Sequence, residues 1–333
     1  MENDNLNNQN NNNLEQMGEI HTDLALEARE LAMERLGGRE PDGIETQTEK
    51  HGNTLISRVT IKTEEAGRSV GKQVGYYVTL EAPGLRNRDR DQQEEIAWLL
   101  ARELEGFIAR MQLKDEDHCL IVGLGNWDAT PDALGPKVIS HILVTRHLAE
   151  STPPEKKGEL RPVAALAPGV LGITGLETGE IVMGVVQRIK PQFIIVIDAL
   201  ASRNTDRMGA TIQIADTGIH PGSGLGNRRL GITPQTLGLP VIAIGVPTVV
   251  EAVTIVHDAL AELSRNSPPS APRVNQQETG LMRKILSPYL TSLIVTPKEI
   301  DVMIEDLARV ISGGLNIALH PGVSPEEVFR YLS

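Results

Sequence analysis

Residues 192–201 read QFIIVIDALA. Five apolar side chains follow one another from Phe193 to Ile197, without the alternation of a strand that keeps one face in water. A run of this kind belongs to a strand covered on both faces, as in a parallel sheet wrapped by helices. The aspartate that ends it, Asp198, is costly to place there unless it is hydrogen-bonded or paired. It is either a carboxylate that pins the next loop or one that does chemistry.

The flanking sequence extends the same pattern. HCLIVGLG (118–125) is a strand, ALGPKVISHILVTRHL (133–148) a helix, RPVAALAP (161–168) a strand, and GEIVMGVVQRIK (179–190) a helix. ATIQIAD (210–216) and PVIAIGVPT (240–248) are further strands, and TVVEAVTIVHDALAEL (248–263) reads as a helix. Alternation of this kind predicts an α/β fold, with a mainly parallel sheet covered by helices on both faces. Before it, TLISRVTIKT (54–63) and GYYVTLEA (75–82) predict a small antiparallel β element, and 90–111 an amphipathic helix. The C-terminal part is helical, and residues 264–280, with three prolines, form a surface excursion.

The N-terminus is different. MENDNLNNQNNNNLEQ (1–16) is Asn-rich low complexity that cannot offset its own ordering entropy. HTDLALEARELAMERL (21–36) then has apolar residues at helical spacing, with Thr22 or Asp23 as the expected N-cap. The chain thus divides into a segment over 1–23 and a single α/β domain over 24–333.

Bulk properties narrow the function. Aromatics are only 3% of 333 residues, so the core is built from Val, Ile, Leu and Ala. A net charge of −12 argues against direct nucleic-acid binding, because phosphate neutralisation needs a dense basic patch. The one cysteine, Cys119, lies inside an apolar run; it reads as a buried thiol without a disulfide or zinc-site partner. No stretch approaches the ~18 consecutive apolar residues of a membrane helix, and no signal peptide opens the chain. A cytoplasmic protein is expected.

Open parallel sheets carry ligands at the carboxyl ends of their strands. Two such ends are acidic. HCLIV runs into Gly123, Gly125 and Asn126, then Asp128 and Asp132; FIIVI runs into Asp198. Asp198 and one of the first pair are placed to converge on one crevice. Two carboxylates at close range cannot both ionise easily, so one keeps a proton and can act as acid while the other acts as base. With a histidine the same pair is a candidate metal site, for which His220, His257 and His320 follow strands or helices. GLGNWD lacks the third glycine of a dinucleotide fingerprint, and neither a Walker A sequence nor a G-x-S-x-G elbow is present.

Five motifs in order carry a resemblance: GLGNWDATPDALGP (123–136), APGVLGITGLETGE (167–180), IIVIDALASR (194–203), DTGIHPGSGLGNRR (216–229) and GLPVIAIGVPTVVEA (238–252). From about residue 21 onward the chain resembles the germination protease of spore-forming bacteria, the endopeptidase that degrades small acid-soluble spore proteins. The resemblance implies a zymogen that removes its own N-terminal segment, a homotetramer in the cytoplasm of the spore core, and an atypical aspartic-type mechanism with no cofactor or metal.

It also implies that the essential pair is Asp132 and Asp198 rather than Asp128. Hydrogenase-maturation proteases, a more distant likeness, share a GxGN turn with an acidic residue six positions after the Asn, which here is Asp132. Because those relatives work around a metal, a metal-dependent maturation-type peptidase is one alternative; a non-catalytic ligand-binding protein is another. The self-cleavage site of the family, acidic then large apolar then Ala, matches Asp23-Leu24-Ala25. Gly123, Gly125, Asn126 and His220 are the further candidates, for oxyanion or substrate support.

Overall fold

The computed structural model describes residues 22–151, 158–220, 230–252, 254–256, 259 and 293–332. The Asn-rich start, the excursion at 264–280, His257 and residues 221–229 of the Gly-rich motif lie outside the described residues.

One sheet runs through the molecule. Its strands are β1 (Ile44–His51), β2 (Thr54–Ile61), β3 (Gly75–Glu81), β4 (Cys119–Gly123), β5 (Val163–Leu166), β6 (Phe193–Ser202), β7 (Thr211–Ala215), β8 (Val241–Glu251) and β9 (Ile294–Val295). Their spatial order is β1-β2-β3-β7-β8-β6-β4-β5, with β9 on the end of β8. The strands β5, β4, β6 and β8 are mutually parallel. The antiparallel element expected at 54–82 is present, and it joins this parallel half through β3 and β7 rather than standing apart.

Side-chain alternation assigns each face. Ile195 and Ile197 of β6, Ile212 and Ile214 of β7, and Ile242 and Ile244 of β8 point to one side. There they pack on α3 (Arg90–Arg110), α4 (Leu134–Ser140) and α6 (Ile300–Leu319), which supply Leu100, Leu104, Val138 and Ile311 among others. The opposite side is covered in two patches. Residues of α1 (Ala25–Arg35) and α2 (Glu64–Val70) meet Val59, Tyr77 and Ala215. Val182 and Val186 of α5 (Thr178–Ile189) meet Leu120, Val122, Ile194 and Val196. Between the two patches that face opens as a crevice. The last helix, α7 (Pro325–Tyr331), is capped by Ser324 and packs on α6.

Three local expectations change. The helix predicted from Ala133 ends at Ser140, because Asn316 of α6 accepts from the Leu143 amide and donates to the His141 carbonyl, drawing the backbone away. The helix predicted from Thr248 does not begin there, since β8 stays extended to Glu251. Its register against β6 shifts between Leu200 and Ala201, opposite Pro247 and Val249, so Thr248 is the extra residue of a bulge. Proline in a buried strand is tolerated at such a bulge. Finally, neither Thr22 nor Asp23 caps α1: the N-cap position is Leu24, and no side chain caps it.

Candidate active site

Asp198 has the same side-chain direction as Ile194 and Val196, so the strand's own alternation turns it onto the open part of the face. β4 has stopped at Gly123, which pairs with Ile197, and β6 continues beyond it with one edge uncovered. On its other side Asp198 is in register with Gly245 of β8, where a Cβ would lie 2.3 Å from the Leu200 side chain. The Asp198 carboxylate accepts from the Ala199 amide at 2.9 Å. Its pKa is nonetheless pushed well above the usual carboxylate range, first by burial, then by the charges of Asp132 and Asp23.

Asp132 arrives from β4 through a folded loop. Leu124 donates its amide to Ile197 at 2.8 Å, and Asn126 donates its amide to the Asp132 carbonyl at 3.1 Å. Gly125 has φ +117°, and a Cβ there would lie 1.9 Å from that same carbonyl oxygen. The bulge residue Thr248 steadies the loop from below, its hydroxyl donating to the Pro131 carbonyl at 2.7 Å. Burial raises the pKa of Asp132, and the Asn126 amide partly opposes this. Asp128 is exposed; its amide closes a turn on the Asn126 side-chain oxygen at 3.0 Å.

The crevice has a volume of about 860 Å3 and is lined by Asp132, Asp198, Lys72, Gln213, Gly245 and His220, among others. His220 stands exposed at its rim. His320 is elsewhere, buried beyond α6 with Nε2 on the Leu143 carbonyl at 3.0 Å. Among the described residues, no group of three His, Cys, Asp or Glu side chains is arranged to hold a metal ion. Cys119 is buried, and burial drives its thiol pKa far up, as an inert core thiol requires. Among the described residues, no helix is long and apolar enough to cross a membrane.

Asp23 also lines the crevice. Its amide donates to the Ala201 carbonyl at 3.1 Å, and its Oδ2 accepts from the Ala201 amide at 2.8 Å, so the segment seats against the uncovered edge of β6. Leu24 is extended (φ −80°, ψ 126°) and 0% exposed. Lys72 Nζ donates to the carbonyls of Thr22 and Asp23, each at 2.9 Å. Gln213 donates from Nε2 to the Asp23 carbonyl at 3.3 Å and accepts on Oε1 from the Ala25 amide at 2.6 Å. Glu27 anchors the start of α1 by accepting from the amides of Arg203 and Asn204 at 2.8 and 3.0 Å.

Lys72 and Gln213 escaped the sequence reading. Lys72 follows Gly71, whose left-handed conformation ends α2 and turns the chain toward the crevice; nothing in VGKQVG distinguishes that lysine. Gln213 did leave a signal. It is the one amide side chain in TIQIA, a strand buried along its length, and such a group needs partners.

A mixed α/β fold with two elevated carboxylates at neighbouring strand ends has the makings of a hydrolase. Comparison with known proteins gives the family. The germination protease family model matches residues 25–265 and 273–332. A germination protease of Caldanaerobacter subterraneus subsp. tengcongensis is 52% identical over 324 residues, spanning 94% of this chain and 98% of the relative. One of Priestia megaterium is 42% identical over 358 residues, spanning 94% and 96%. The chain belongs to the germination protease family, and it is a peptidase. Among solved structures, the NiFe hydrogenase maturation protease HycI of Thermococcus kodakarensis aligns at 18% identity with a TM-score of 0.30, covering 64% of this chain and 97% of that one, too weakly to carry weight.

Proposed function

We propose that this chain is an endopeptidase of small acid-soluble spore proteins, made as a zymogen that cuts its own Asp23–Leu24 bond. The chemistry in this reading is general acid–base hydrolysis of an atypical aspartic type. Asp132, the less shielded carboxylate, is ionised and takes a proton from a water whose oxygen bonds to the Asp23 carbonyl carbon. Asp198, held protonated by burial and by its acidic neighbours, gives its proton to the Leu24 nitrogen as the carbon–nitrogen bond breaks. Asp23 is left with a new carboxylate and Leu24 with a free amine. Asp132 holds the water's proton and returns it to Asp198 through solvent before the next turnover.

The observation that carries the reading is that Asp23, Asp132 and Asp198 line one crevice, with the backbone extended at Leu24. A bound segment in that place also occupies the room a substrate strand would take, which suits a zymogen. Pairing with the open edge of β6 is a familiar way to hold an extended peptide. The family resemblance adds a homotetramer and a place in the spore core to the proposal.

The test is intact mass against time for the purified full-length chain at mildly acidic pH, beside Asp132→Asn and Asp198→Asn. The wild type is expected to lose residues 1–23 and both variants to stay whole. Equal trimming of all three would point to a contaminating protease and remove the pair from the mechanism. Light scattering on the same samples checks the tetramer.

A further inference from the structure

Hydrolysis of a peptide bond places negative charge on the carbonyl oxygen, and donors fixed at that oxygen are commonly the largest catalytic contribution. Two backbone amides of the turn after β4 are already taken. The Leu124 amide is committed to Ile197 and the Asn126 amide to Asp132. The Asn126 side-chain oxygen accepts from Asp128. The oxygen of the Asp23–Leu24 bond points elsewhere, to the Lys72 ammonium at 2.9 Å and the Gln213 amide at 3.3 Å.

We propose that Lys72, assisted by Gln213, holds the oxygen of the scissile carbonyl and stabilises the oxyanion formed there; the inference rests on the hydrolytic reading above. Three features support it. Lys72 bridges two successive carbonyls, those of Thr22 and Asp23, so its ammonium is held in place by the bound segment itself. Gln213 brackets Leu24, donating to the Asp23 carbonyl before it and accepting from the Ala25 amide after it, which fixes the register of the segment against β7. The crevice also gathers three carboxylates, Asp23, Asp132 and Asp198, and a cation there offsets the charge that would oppose a further oxyanion. With the oxygen held by Lys72 and Gln213, the Asp198 proton is free for the leaving nitrogen.

Chemical rescue of the full-length chain tests this. Lys72→Cys is expected to slow self-cleavage about 10²- to 10³-fold, the usual cost of an oxyanion donor. Alkylation with 2-bromoethylamine rebuilds a lysine-like ammonium and is expected to restore the rate to within about tenfold of wild type. Iodoacetamide, which leaves a neutral adduct, is expected not to. The other thiol, Cys119, is buried and spared. Near-wild-type cleavage by Lys72→Cys, or equal rescue by both reagents, overturns the proposal, the second because it would show packing rather than charge.

Should Lys72→Cys fail to fold, Lys72→Arg and Gln213→Ala decide. Partial activity in the first and clear slowing in the second are expected; a wild-type rate in Gln213→Ala together with none in a folded Lys72→Arg is the opposite result and overturns it. Asp132→Asn and Asp198→Asn run in parallel separate the two levels. If they cut like wild type, the hydrolytic reading falls and takes this inference with it; if they do not cut while Lys72→Cys does, only the role of Lys72 falls.

Discussion

Gly125 and Asp132 touch through their backbones: a Cβ on Gly125 would sit 1.9 Å from the Asp132 carbonyl oxygen, and Gly125 has φ +117°. The contact explains how the loop after β4 brings an aspartate seven residues along back over the strand end. Gly125→Ala must both leave that backbone region and push Asp132 away. A displacement of about 1 Å at a reacting group costs on the order of 10²-fold in rate. Self-cleavage of Gly125→Ala, followed by intact mass, is expected to slow by at least that much, with a lowered melting temperature.

The two carboxylates predict a bell-shaped pH–rate profile. The rate rises as Asp132 loses its proton and falls as Asp198 loses its own, and both limbs lie above the ordinary carboxylate range because burial raises both groups. Removing the charge at Asp132 relieves Asp198, so the Asp198 titration followed by NMR in Asp132→Asn is expected at lower pH than in wild type.

Asp198 also has a stability signature. Its folded pKa is raised, so its contribution is complete below the unfolded aspartate value, near 4, and is lost as pH rises through the folded value. Asp198→Asn is neutral at every pH. It is therefore expected to melt higher than wild type at pH 8 and to lose that advantage toward pH 3.

His320 acts in the other direction. Its Nε2 meets the Leu143 carbonyl, its Nδ1 is buried without a partner, and burial lowers its pKa to about 4. A depressed histidine contributes stability above its unfolded value, about 6.5, that is lost as pH falls through about 4. Thermal unfolding between pH 7 and pH 4 is expected to show a steeper loss in wild type than in His320→Gln.

Glu27 holds the segment in place. Its carboxylate accepts from the amides of Arg203 and Asn204 and faces the Arg207 guanidinium at 3.5 Å. Glu27→Ala leaves the amides of half-buried Arg203 and exposed Asn204 without this partner, a net loss of about 0.5–1.5 kcal/mol for each hydrogen bond. Denaturant unfolding is expected to show the loss, and self-cleavage to slow as Asp23 leaves Ala201.

A chelator provides a direct check on metal dependence. The acid–base reading expects equal self-cleavage with and without it; loss of activity restored by an added divalent cation would favour the metal-dependent alternative.

Much of the architecture was legible because it follows from local rules. FIIVI and HCLIV are apolar without interruption, and only a strand covered on both faces uses such runs. The aspartates that follow them are polar groups at or just beyond strand ends, so Asp198 and the pair Asp128 and Asp132 stood out before any coordinates, and the family resemblance chose Asp132 from that pair. Where local rules met a distant partner they failed. The helix after Ala133 is cut short by Asn316, far along the chain. The helix expected from Thr248 starts only beyond Glu251, because β8 runs on there with a bulge set by β6. Asp23 looks like an N-cap and instead gives its carboxylate to Ala201.

The sequence by itself determined the layered α/β fold, the acidic strand ends and the resemblance to a family, because alternation, propensity and motif order are written along the chain. Only the tertiary structure decided which groups share the crevice. Lys72 and Gln213 reach the Asp23 carbonyl from α2's end and from β7, 49 and 190 residues away. Contacts over such separations are set by how the sheet orders β3, β7, β8 and β6, and spacing along the chain holds no record of it.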